Sequence, residues 1–129
     1  MWNPLARRRK RREEADRRAA DRFENMRLRT ARTPGATLVQ VVGVRQWARR
    51  GTEADVYDMC ANAYRGAWFW WARVEPGQIL SVAGGTGYGP MRNEYPVLYV
   101  PKYGIYEMLP AADANRAIRY ISDRAATTR

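Results

Sequence analysis

Arg7-Arg8-Arg9-Lys10-Arg11-Arg12 places six cations in a row, with Arg17 and Arg18 a turn or two beyond. Packing cannot explain such a run, because cations are almost never buried without partners. Phosphate contact can. Each phosphate neutralised releases condensed counterions, which gives salt-sensitive binding without sequence preference. Arginine suits the task because its planar fork can hold phosphate oxygens at two points. The alternatives are a solvated, salt-bridged helix or, in a eukaryotic host, a localisation signal. An acidic surface on a neighbouring protein would attract the same residues.

The second feature is Trp68-Phe69-Trp70-Trp71. In a strand, Trp68 and Trp70 point one way while Phe69 and Trp71 point the other, so both faces are aromatic. A central strand packed on both sides accounts for this. So does a protein interface, where Trp is enriched, and single-stranded bases stacking on indoles form a third reading. Trp68, Trp70 and Trp71, together with Tyr88 and Tyr95, are the candidate protein-interface residues. Tyr99, Tyr103 and Tyr106 fall in the same stretch, with Tyr95 and Tyr99 on one face.

The glycines at 84, 85, 87 and 89 resemble a phosphate loop only in composition. No Lys-Ser or Lys-Thr follows, and the next segment reads as loop and strand. A loop that orders against a neighbour, with Arg92 beside it, fits better.

Several chemistries are excluded by composition. The chain of 129 residues has no histidine and one cysteine, Cys60. Imidazole-based triads, Cys/His zinc sites and internal disulfides cannot form. The acidic residues Glu53, Asp55, Asp58, Glu75, Glu94 and Glu107 are scattered and announce no pair. The expectation is therefore a non-catalytic protein with no cofactor, no metal and no small-molecule substrate. Cys60 reads as a small core residue.

These residues need elements to position them. Asn3 followed by Pro4 is a helix start, and no Gly or Pro interrupts until Thr33-Pro34-Gly35. Ala15, Ala19, Phe23 and Met26 lie on one face at helical spacing. The helix should therefore be anchored from about Ala15 and project its basic end outward, with Arg9–Glu13, Glu13–Arg17 and Glu14–Arg18 pairs along it. Residues 1–33 form this basic arm, and residues 34–129 a compact domain. Net charge divides accordingly: 12 basic against 5 acidic residues in the arm, 11 against 8 in the remainder, of a total +10.

In the domain, residues 37–44 are β-branched and read as a strand. Thr52–Asp55 resembles a helix cap, and Val56, Met59, Cys60 and Ala63 follow helical spacing up to Gly66. Residues 67–74 and 78–82 read as a hairpin turning at Pro76-Gly77, and residues 84–93 as a long loop. Residues 95–100 and 104–109 form a second hairpin. A last helix opens at Pro110, with Ala114, Ala117, Ile118 and Ile121 on one face. The fold class is α+β: a long basic N-terminal helix, then a mainly antiparallel sheet of about five strands and two further helices.

The N-terminus lacks the apolar region of a secretion signal, and no run approaches ~20 apolar residues. An intracellular protein is expected, or one packaged inside a virus or phage particle, with no membrane contact. The favoured reading is a minor structural component of such a nucleoprotein assembly, binding nucleic acid or an acidic neighbouring subunit through the arm. A soluble accessory factor that binds nucleic acid without sequence preference is the alternative; no base-reading motif supports a specific regulator. An inhibitor acting on a host enzyme through its aromatic surface is another.

Overall fold

The structure is a computed structural model and describes residues 3–87 and 97–127. Helix α1 (Pro4–Arg32) is followed by strands β1 (Ala36–Ala48), β2 (Gly51–Asp58), β3 (Ala63–Trp70), β4 (Ile79–Ala83), β5 (Gly85–Gly87), β6 (Val97–Val100) and β7 (Ile105–Leu109), and then by helix α2 (Ala111–Thr127). The seven strands form one sheet in the order β5-β6-β3-β2-β1-β4-β7. Every pairing is antiparallel except β3 with β6.

The sheet curls. A single residue, Gly84, separates β4 from β5, yet β4 pairs with β1 and β7 while β5 pairs with β6 on the far side of β3. Gly84 permits this because a Cβ there would lie 2.3 Å from the Tyr99 carbonyl oxygen. Inside the curl lies the larger core, built from Val39, Val41, Val56, Phe69, Val82 and Val100 with their neighbours. Outside it, Met26 of α1 and Ala114 of α2 close over Leu38, Ile79 and Leu109. A third contact, Ala19 and Ala20 against Ala117, joins the helices to each other. Small residues there let the two backbones approach closely.

The α+β class and the long first helix match the sequence reading. Three elements do not. The helix expected over 52–66 is the β2–β3 hairpin. Thr52, Ala54, Val56 and Asp58 are buried in alternation, a period of two that the polar Thr52 and Asp58 disguised. Asp58 accepts the backbone N–H of Cys60 (3.0 Å) and Ala61 (3.1 Å), which turns the chain. Asn62 completes the turn at φ 57. Cys60 is accordingly exposed rather than in the core. With that helix gone there are two helices among the described residues, and seven strands instead of about five.

Nor do the two expected hairpins pair internally. At Trp71, φ 57 takes the chain out of line with β3. The Thr52 hydroxyl then donates to Ala72 O (2.7 Å) and accepts from Val74 N (3.3 Å). The segment is carried across to the other side of β1, where Gly77 N donates to Val41 O and Val41 N to Gln78 O. Strands β6 and β7 likewise do not pair with each other: β6 lies beside β3, and β7 at the edge beyond β4. Tyr99 on β6, Tyr103 in the turn that follows it and Tyr106 on β7 are thereby spread over different parts of the sheet. Residues 88–96, which include Tyr88, Tyr95, Arg92 and most of the glycine-rich stretch, lie outside the described residues; of that stretch Gly85–Gly87 forms β5.

Candidate nucleic-acid interface

The basic segment is the start of a well-formed helix. The Asn3 side chain accepts from Leu5 N (3.0 Å) and Ala6 N (3.4 Å), and Pro4 occupies the first helical position. A helix of 29 residues is about 43 Å long. Only its second half rests on the sheet, where the Thr30 hydroxyl meets that of Ser81 at 2.7 Å and Arg29 grips Glu107. Its middle rests on α2. The helices run antiparallel, with Arg22 against Asp113 and Asp16 against Arg119.

Asp16 anchors this seam. Arg119 Nη2 and Nε donate to its two oxygens at 2.7 and 2.9 Å. The hydrogen bonds from Arg119 hold the Asp16 carboxyl below its ordinary pKa, and the charges of Arg119, Arg12 and Arg116 act in the same direction against the cost of burial. The carboxylates of the seam are thus engaged by seam arginines.

Arg7, Arg8, Arg9, Lys10, Arg11 and Arg12 are all exposed, as are Arg17 and Arg18. None has a carboxylate at ion-pair distance among the described residues. The expected Arg9–Glu13, Glu13–Arg17 and Glu14–Arg18 pairs are not made; the acid that α1 holds in its own turns is Glu24, by Arg27. Arg8 and Arg12 continue, at intervals of four, the face that Asp16, Ala19 and Ala20 bury lower down. The surface that grips α2 therefore becomes cationic toward its free end.

The aromatic candidates separate. Phe69 is fully buried inside the curl. Trp68 and Trp70 share the outer face of β3, edge to face with ring centres 5.3 Å apart. Trp68 Nε1 is buried and finds no acceptor among the described residues. Trp70 and Trp71 are exposed, and Trp71 donates its backbone N–H to Arg50 O at 2.7 Å. That contact brings in residues the sequence reading passed over: Trp47, Arg49 and Arg50 at the β1–β2 turn, and Arg73. The sequence signal was an aromatic beside Arg-Arg-Gly between two extended segments.

The surface of the described residues holds, among others, two recesses. A cleft of about 120 Å³ between the helices is lined by Arg18, Arg22, Arg116 and Asp113. A groove of about 510 Å³ runs under the end of α1 beside Leu38, Met59 and Cys60. No group of three metal-ligating side chains gathers among the described residues, and no helix among them is long and apolar enough to cross a membrane. No protein-family model matches the chain, and no curated protein matches it either.

Proposed function

We propose that the protein is a non-catalytic component of a nucleoprotein assembly, such as a virus or phage particle, and that the first three turns of α1 lie against the phosphate backbone of nucleic acid. One observation carries this reading. Six exposed cations crowd the N-terminal end of a helix, and its first turn contains no acidic residue. That end already bears the positive pole of the helix dipole, where anions are favoured and cations disfavoured. Antiparallel α2 points its electronegative end the same way and offsets part of the conflict. The rest calls for an external anion, and helix N-termini with arginine forks are well matched to phosphate.

The test keeps the chain whole, because Met26 and Thr30 of α1 belong to the packed interior. Arg7, Arg8, Arg9, Lys10, Arg11 and Arg12 are all changed to Gln, and binding to labelled duplex and single strands is followed across a NaCl series. The native chain should bind with a steep salt slope, and the variant should lose about 0.9 in slope for each duplex phosphate contact removed. Equal affinity and equal slope in the two proteins would overturn the reading. Binding only to an acidic protein surface would replace the phosphate partner.

A further inference from the structure

The β1–β2 turn, the end of β3 and the segment leaving it bring Trp47, on the inner face with Thr52, and Trp70, on the outer face, to one rim of the curled sheet together with Trp71, Arg49, Arg50 and Arg73. We infer that this rim is a second binding surface, which holds unpaired nucleotides by stacking their bases on the indoles and pairing their phosphates with the arginines.

Exposure is the first argument. Trp47, Trp70 and Trp71 remain 46%, 38% and 59% exposed, although an indole is among the largest apolar surfaces a chain can hide. The second is that each is held in place. Trp47 Nε1 donates to Val74 O at 3.0 Å, and the Arg73 guanidinium lies 4.8 Å above its ring. Trp70 abuts Trp68, and Trp71 is tied to Arg50. Trp71 is also kept at φ 57, a conformation that costs a bulky residue energy and that marks functional segments. Thr52, fully buried, fixes the strand of chain that carries Trp71 and Arg73.

Charge selects the occupant. Arg49 and Arg50 are exposed and have no carboxylate at ion-pair distance among the described residues, whereas nearby Asp55 and Glu75 are taken by Arg45 and Arg73. Glu53, half-buried beside Trp68 in the sheet register, is the remaining acid. An apolar protein partner would strip water from Arg49 and Arg50 without replacing it. A second copy across a two-fold axis would set this arginine pair against itself. A duplex keeps its base faces stacked within the helix. A single strand offers flat rings and negative charge together, the combination that indoles and arginines recognise.

The experiment compares binding of a fluorescein-labelled 20-nucleotide oligo-dT and of a hairpin duplex at one salt concentration, using the full chain, Trp71→Asn, the double variant Arg49→Gln/Arg50→Gln, and the six-fold α1 variant. Asn tolerates the left-handed backbone at 71, and the arginine pair sits at an exposed turn, so at least one variant keeps its fold. The full chain should prefer oligo-dT. Trp71→Asn should weaken that binding about 5- to 100-fold and leave the duplex unchanged, and the arginine variant should weaken it with a reduced salt slope. The α1 variant should weaken both probes, so failure at the rim and failure at α1 give different patterns. Unchanged oligo-dT affinity in both rim variants overturns the inference. So does a concentration-dependent dimer in sedimentation that Trp71→Asn abolishes, since the rim would then be a self-interface.

Discussion

Asp16 and Arg119, 103 residues apart in the chain, meet in a two-point hydrogen bond of 2.7 and 2.9 Å. Of the two ion pairs between the helices, Asp16–Arg119 and Arg22–Asp113, it lies nearer the basic end of α1. The direction in which six cations point is therefore set by a residue on the last element of the fold. Below Asp16, Ala19 and Ala20 against Ala117 supply apolar packing; above it, toward Pro4, the side chains are exposed or half-buried.

Asp16→Asn should loosen that end selectively. Amide hydrogen exchange over residues 4–14 should quicken by roughly five- to tenfold, while the β1–β2 amides keep their protection. Exchange unchanged along α1 would mean that the alanine seam alone holds the helix.

The Thr30–Ser81 contact gives a second test. Thr30 Oγ1 donates to Met26 O at 2.7 Å, so in the 2.7 Å contact between the hydroxyls Ser81 is the donor. Thr30→Val then leaves a buried Ser81 hydroxyl without its acceptor and should cost about 1–3 kcal/mol in urea unfolding. Ser81→Ala should cost less. The double variant should be less destabilised than the sum, with a coupling of about 0.5–1.5 kcal/mol.

Asp58 makes stability fall in acid. Burial alone would raise its pKa, but the N–H of Ala61, the Thr37 hydroxyl, the N–H of Cys60 and the Arg65 guanidinium together lower it below 3.8. A lowered folded-state pKa contributes stability that is present above the unfolded value and disappears as pH falls through the folded one. Thermal melts from about pH 5 down to about pH 2 should show this loss. Asp58→Asn should flatten the slope in part, since Asp16 and Glu24 are shifted in the same direction by their arginine partners.

Gly84→Ala should unfold the curl. The added Cβ would meet the Tyr99 carbonyl oxygen at 2.3 Å and its carbon at 3.0 Å, both backbone, so β6 would have to move. A loss of about 2–3 kcal/mol is expected, read from chemical denaturation. Gly85→Ala is the control, since a Cβ there meets nothing within 4 Å.

Local signals in the sequence were reliable where the structure is local. Asn3-Pro4 and Thr33-Pro34-Gly35 bound α1 within a residue or two, and the face from Ala15 to Met26 is the side that packs. β1 was foreseen from its β-branched residues, but not its extension to Ala48, because bulges between Val41 and Gly43 and between Val44 and Gln46 break its alternation. Residues 52–66 failed for a different reason. Thr52 is buried because it satisfies backbone groups of the segment after β3, and Asp58 because it accepts from the N–H groups of its own turn and from the side chains of Thr37 and Arg65. Polar residues in such roles look like surface. Strand partners were beyond reach: adjacent runs at 67–74 and 78–82 suggest a hairpin, and it takes Trp71 and Thr52 together to send the chain elsewhere. The cation cluster was legible because it needs no fold to define it. The rim was not, since Trp47, Arg50 and Trp71 become neighbours only through the sheet register.

The seam between α1 and α2 also has a consequence in time. Asp16 leaves the ribosome long before Arg119, and Arg29 long before Glu107. At roughly 5–20 residues per second, 103 residues take on the order of 5–20 s. Throughout that interval the nascent chain carries its six cations with nothing to direct them, in a compartment crowded with ribosomal RNA. Docking of the last helix is thus the event that turns an indiscriminate basic segment into one with a fixed orientation.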